Sequence, residues 1–193
     1  MRLILNILLA LIALFLCYLL FDSIKEPIAF DNDKSLREGA VVDRLEDLRT
    51  SQELYRSITG EFAPTFDTLR QVLTTEKLFK VKLTPDANFP DDTDKAIRDT
   101  TFFNTLDSLT AMKINLDSIM FVPYSNGNKF TMTADTITFQ QTLVHVMQAG
   151  ASRKLFMGKW SDPKFAKYDD TYDPAKVIKF GDMTAPSLSG NWE

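Results

Sequence analysis

From Leu3 to Phe21 the chain is apolar on every face, LILNILLALIALFLCYLLF, nineteen residues without a charge and with Asn6 as the one strongly polar side chain. At 1.5 Å per helical residue the run covers about 29 Å, close to the thickness of a bilayer's hydrocarbon core. It predicts a membrane-spanning helix, since a helix on the surface of a soluble domain keeps one polar face. A cleaved signal peptide would have a shorter apolar run followed by small residues. Here the run closes Tyr18-Leu19-Leu20-Phe21-Asp22, with Tyr18 and Phe21 placed as an interfacial aromatic belt. Residues 1–22 are therefore expected to be an uncleaved anchor. Cys17 follows Leu14-Phe15-Leu16, which is no lipobox, and reads as a small apolar group within the span.

Beyond the anchor, Ser23-Ile24-Lys25-Glu26-Pro27 interrupts the helical pattern, and Pro27 biases Glu26 away from the α region. This predicts a linker over residues 23–33 and a second helix capped by Asp31, Asn32 or Asp33. The second helix carries a stripe at alternating spacings of four and three, Val41, Leu45, Leu48, Gln52 and Tyr55, widened by Leu54 and Ile58 and stopped by Gly60. Asp43, Arg44, Glu46, Asp47, Arg49 and Glu53 occupy the other faces. Such a stripe either packs on its own domain's sheet or pairs with a partner helix near Gly39-Ala40, where the surface is smooth. Gln52 on the stripe argues against a long coiled coil and could fix register instead.

A short helix is expected from Phe66, with Thr65 as N-cap after Pro64 and with Phe66, Leu69, Val72 and Leu73 on one face. Lys77–Thr84 alternates as a strand, burying Phe79, Val81 and Leu83. Pro85–Asp99 turns polar and reads as a loop. Its acids Asp91, Asp92, Asp94 and Asp99 do not match a calcium loop's spacing and are better explained as solvated. Strands are expected at Thr100–Phe103, Ser118–Pro123, Lys129–Phe139, Leu143–Met147 and Lys154–Met157, with a hairpin turn at Asn126-Gly127. Lys179–Glu193 reads as irregular. The fold class is α+β: an N-terminal transmembrane helix, a second amphipathic helix and a small antiparallel sheet, with residues 34–193 as one domain.

Composition narrows the function. The net charge is −4 with basic residues scattered, so no nucleic-acid face is expected. One histidine and one cysteine leave too few ligands for an ordinary zinc centre, and no metal or other cofactor is expected. His145 lies in the apolar run LVHVM and reads as a hydrogen-bonded strand residue without a catalytic partner. Nucleophile-elbow, phosphate-loop and dinucleotide signatures are missing. Asp107 and Asp117 each sit in Leu-Asp-Ser, which suits turns and caps. The chain is not expected to be an enzyme. Trp160 and Trp192 could meet a partner or anchor the tail to its own core.

Leu54-Tyr55-Arg56, then Gly60, Phe62 and Pro64, then a leucine-bearing short helix, resembles the region after the first helix in pseudopilins of type II secretion systems and in type IV pilins. That resemblance implies a membrane helix, its soluble continuation and an antiparallel sheet packed upon it. A pilin's basic leader and the glutamate five residues into its mature helix have no counterpart among Met1 to Ala10, so prepilin processing is not expected. The whole chain, with its Gly190-Asn-Trp-Glu193 ending, is similar to a group of uncharacterised membrane-anchored envelope proteins of Gram-negative bacteria. Uncleaved scaffold proteins of pilus and secretion machines match it better than filament subunits do. The resemblance implies a non-enzymatic component of a trans-envelope assembly, contacting other envelope proteins as a hetero- or homo-oligomer. Arg2 and the amino terminus before the span put the N-terminus in the cytoplasm and the domain in the periplasm, with the inner membrane as its location. Candidate partner contacts are Val41, Leu45, Leu48, Gln52, Tyr55 and Trp192. The alternative function is a tethered periplasmic module holding a peptide or lipid in a Phe-lined groove.

Overall fold

A computed structural model describes residues 2–84 and 97–193. One helix, α1 (Arg2–Thr59), runs without interruption from the apolar segment into the folded domain. The break expected at Ser23–Pro27, the linker at 23–33 and the cap at Asp31–Asp33 are not formed. The expected second helix is the outer part of α1, which ends where Gly60 takes up φ +86° and donates its N–H to the Arg56 carbonyl at 2.8 Å.

Helix α2 (Phe66–Thr75) begins as its sequence predicts. The Thr65 hydroxyl accepts from the Thr68 N–H at 3.2 Å, and Leu69 and Leu73 are buried. β1 (Lys77–Thr84) pairs antiparallel with β2 (Ile97–Asn104), and α3 (Thr105–Ala111) follows directly. The strand expected at Thr100–Phe103 is thus longer and begins before the predicted loop ends. Asp91, Asp92 and Asp94 lie outside the described residues.

The main sheet is antiparallel in the order β3-β4-β5, formed by β3 (Thr131–Phe139), β4 (Thr142–Ser152) and β5 (Val177–Gly181). It packs on α1 with the segment 114–130 beside it. Two expected strands are absent. Ser118–Pro123 is a chain of turns with one bridge, Phe121 to Lys129, and its Ile119, Met120 and Val122 are all buried where a strand would alternate. Lys154–Met157 falls in the short helix α4 (Arg153–Phe156), which two 3₁₀ turns follow, Gly158–Ser161 and Pro163–Tyr168. The fold is α+β, as expected.

Both tight turns use left-handed backbone. Asn126 and Gly127 stand at φ 54° and 88°, the pair required by the predicted turn. The β3–β4 hairpin makes the same kind of two-residue turn with Gln140 and Gln141, at φ 46° and 68°. A Cβ in this region costs on the order of 1 kcal/mol or more per residue, which Asn and Gly largely avoid. Replacing Gln140 by Asn and Gln141 by Gly together is expected to stabilise the protein by about 1–2 kcal/mol, read as a higher midpoint in denaturant.

Candidate functional site: the anchor helix and its clamp

Over Leu3–Phe21 every residue of α1 is exposed and apolar or small except Asn6 and Tyr18, a pattern compatible with a single-pass membrane protein. From Phe30 onward the same helix is built into the domain. Phe30, at 1% exposure, is ringed by aromatics from the stretch 160–172. Trp160 and Tyr172 meet it edge-on at centroid distances of 5.5 and 5.0 Å, with Phe165 at 6.4 Å and Tyr168 at 5.7 Å.

Polar bonds close the clamp around these rings. The Trp160 indole N–H donates to Asp33 at 2.7 Å, and the Tyr172 hydroxyl to the Trp160 carbonyl at 2.7 Å. Arg37 donates to the Phe156 carbonyl at 2.6 Å, and Arg153 pairs with Glu38 at 2.6 Å. Lys34 pairs with Asp169, and the Tyr168 hydroxyl reaches Glu26. Glu26 and Phe30 flank Pro27, so the clamp grips α1 on both sides of its helix breaker. A proline inside a helix costs about 3 kcal/mol. Burying one Phe side chain returns about 1.5–3 kcal/mol and each aromatic pair about 0.5–1.5 kcal/mol, enough to keep the helix whole.

The predicted contact residues have other duties. Val41, Leu45, Leu48 and Gln52 are 0% exposed and Tyr55 is 7% exposed, all within this chain's own core. The stripe packs on its own domain. Gln52 fixes a loop: its amide accepts from the Ala63 N–H at 2.9 Å and donates to the Ala63 carbonyl at 3.2 Å. Trp192 is half-buried against the core and stacks over Gly190, where any Cβ would come within 2.6 Å of the ring. Asn191 binds the outer edge of β5 at Lys179 N–H and Val177 C=O, and Glu193 pairs with Arg49 at 2.5 Å, so this stretch anchors to its own domain.

His145 lies in β4, half-buried, with Nδ1 2.9 Å from the Thr136 hydroxyl on β3. It lines a cleft of about 240 Å³ with Glu61 and Asp135, but the Asp135 carboxylate accepts from the Thr136 N–H. No group of His, Cys, Asp and Glu among the described residues could hold a metal. A wider groove of about 470 Å³ beside α3 is crossed by the Arg70–Asp117 ion pair. Phe30, Phe62, Phe130, Phe156, Phe165 and Phe180 are buried in the core, and Phe62 also borders the cleft beside His145. Asp107 stands in the first turn of α3, and the Asp117 N–H is bound by Asn115.

No protein-family model, curated protein or solved structure matches this chain. Its function rests on its own residues.

Sequence reasoning missed Phe30. Stepping the stripe back from Val41 gives Arg37, Lys34 and Phe30, and the two cations hid the continuation. Phe30→Ala is expected to destabilise the protein by about 3–5 kcal/mol, measured as a loss of the Trp160 fluorescence transition at lower denaturant. The clamp also sets a pH window. Lys34, then Thr171, hold Asp169 down to about 2 from an ordinary 3.8, while burial, reinforced by Glu38, pushes Tyr172 up to about 12 from 10.0. The lowered Asp169 contributes stability above its unfolded value that is lost as pH falls from about 4 towards 2. The raised Tyr172 contributes stability below pH 10 that is lost as pH rises towards 12. Denaturation midpoints across pH should therefore fall at both ends, and Asp169→Asn should flatten the acid limb.

Proposed function

We propose that this protein is a non-enzymatic, single-pass component of a trans-envelope assembly of the secretion or pilus type, acting by protein–protein contact. The observation that carries the proposal is the single helix α1, bare and apolar for its first turns and locked into the domain's core from Phe30 onward. A linker would let the domain drift over the membrane. A clamped helix holds it at one height and one orientation, which is what a structural subunit needs and a diffusing binder does not. The pilin-like order of membrane helix, soluble continuation and antiparallel sheet supports the same reading. The cytoplasmic membrane, a cytoplasmic N-terminus and a periplasmic domain complete it, from Arg2 ahead of the span.

The test is fractionation of full-length protein from Gram-negative cells. It is expected to stay in the membrane pellet through alkaline carbonate, to lose its domain to protease only after the outer membrane is opened, and to purify in mild detergent with a fixed set of envelope proteins. Release by carbonate would overturn the anchor, and a monomer purifying alone would overturn the assembly role.

A further inference from the structure

Helix α1 has a second apolar face that the described residues of the domain leave uncovered. Stepping outward from the span by 3.6 residues per turn, Phe21, Ile24, Ile28, Asn32, Ser35 and Gly39 fall on one side of the helix, roughly opposite Phe30 and Val41. The apolar side chains here are bare: Phe21 is 66% exposed, Ile24 59%, Ile28 56%, and Leu36, at the margin, 61%. Gly39 sits mid-helix with nothing within 4 Å of where its Cβ would stand. A helix-interior glycine costs about 1 kcal/mol relative to alanine, and no contact among the described residues requires one. After Gly39 the same side turns acidic, with Asp43, Glu46 and Glu53 exposed. The apolar face thus ends about 27 Å beyond Phe21, with the rise per residue setting the distance.

We infer that this face, from Phe21 to Gly39, packs against the same face of a second copy in a parallel dimer that continues a helix contact begun in the membrane. The inference rests on the membrane-anchor reading. Four apolar side chains are too few to hold a dimer in free solution, where stable interfaces bury on the order of 1,200 Å² or more. Two copies anchored in one membrane are already parallel and at high effective concentration, so a small interface suffices. A second copy also matches the face's own chemistry. Asn32 is its one amide, and a lone Asn in an apolar helix seam bonds its symmetry mate and fixes register. Gly39 and Ser35 allow close backbone approach, as small residues do between membrane helices. The domains lie on the far sides of the two helices, out of each other's way. The like charges at Asp43, Glu46 and Glu53 then part the helices above Gly39.

Disulfide trapping of the full-length chain in its native membranes tests this. Cys17 falls on the same face, eleven residues before Ile28. Copper–phenanthroline oxidation is expected to give a dimer of the 22.0 kDa chain through native Cys17, and through Ile28→Cys in a Cys17→Ser background. Ser23→Cys, on the domain side, should give none in the same Cys17→Ser background. Gly39→Leu, which has open space within its own fold, should lower the Ile28→Cys yield severalfold. Carbonate extraction of the same membranes separates the two readings: a chain released from them defeats the anchor. A chain that stays embedded but is monomeric at Ile28→Cys defeats the dimer alone. Equal crosslinking at Ser23→Cys would show random collision, and an Ile28→Cys thiol shielded from maleimide without dimer would place a different protein on the face; either overturns the inference.

Discussion

One side of a single helix, from Phe30 to Tyr55, is the surface on which the rest of the domain is laid. Helix α2, the main sheet and the aromatic 3₁₀ segment all bury apolar groups in the core built on it. A helix standing alone gains little from its own backbone, so most of its stability comes from such packing. Here the dependence runs both ways. The domain needs α1 as its spine, and α1 needs the domain to remain helical through Pro27.

The clamp shows how that dependence is divided between packing and charge. Phe30 supplies the burial, while Asp33, Lys34, Arg37 and Glu38 each bind a different part of the segment 153–169. Those four polar residues occupy successive turns around the aromatic pocket, where long side chains cover its rim with their stems and place their charges on specific partners. Such pairs contribute less than the rings they surround, yet they decide which way the segment lies.

The pattern of the chain revealed the parts governed by local rules. The apolar span, the stripe from Val41 to Tyr55, the Thr65 cap, the Gly60 stop and the Asn126-Gly127 turn each follow from a short stretch of sequence. What escaped was set by contacts distant in sequence. Pro27 signals a break that only the clamp can override. Gln140-Gln141 carries no turn signal and is bent by the pairing of β3 with β4. β4 runs past Met147 through Gln148 and the small residues Ala149 and Gly150, which read as weak strand formers, because Gly150 lies directly under the backbone of β5. Of the candidate contact residues, the stripe was correctly seen as an apolar face. Whether such a face meets its own domain or another chain depends on what folds back onto it, and no periodicity encodes that.

An unbroken helix from membrane to core also means that the two are geared. Each residue of α1 between Phe21 and Glu26 contributes about 100° of rotation and 1.5 Å of height. The direction in which the domain faces, viewed down the membrane normal, is therefore written as a residue count. Adding or removing one residue in that interval would leave both the span and the core chemically intact while swinging the whole domain by more than a quarter turn relative to the face within the bilayer. A chain of this design tolerates substitution along that stretch far better than it tolerates a change of length.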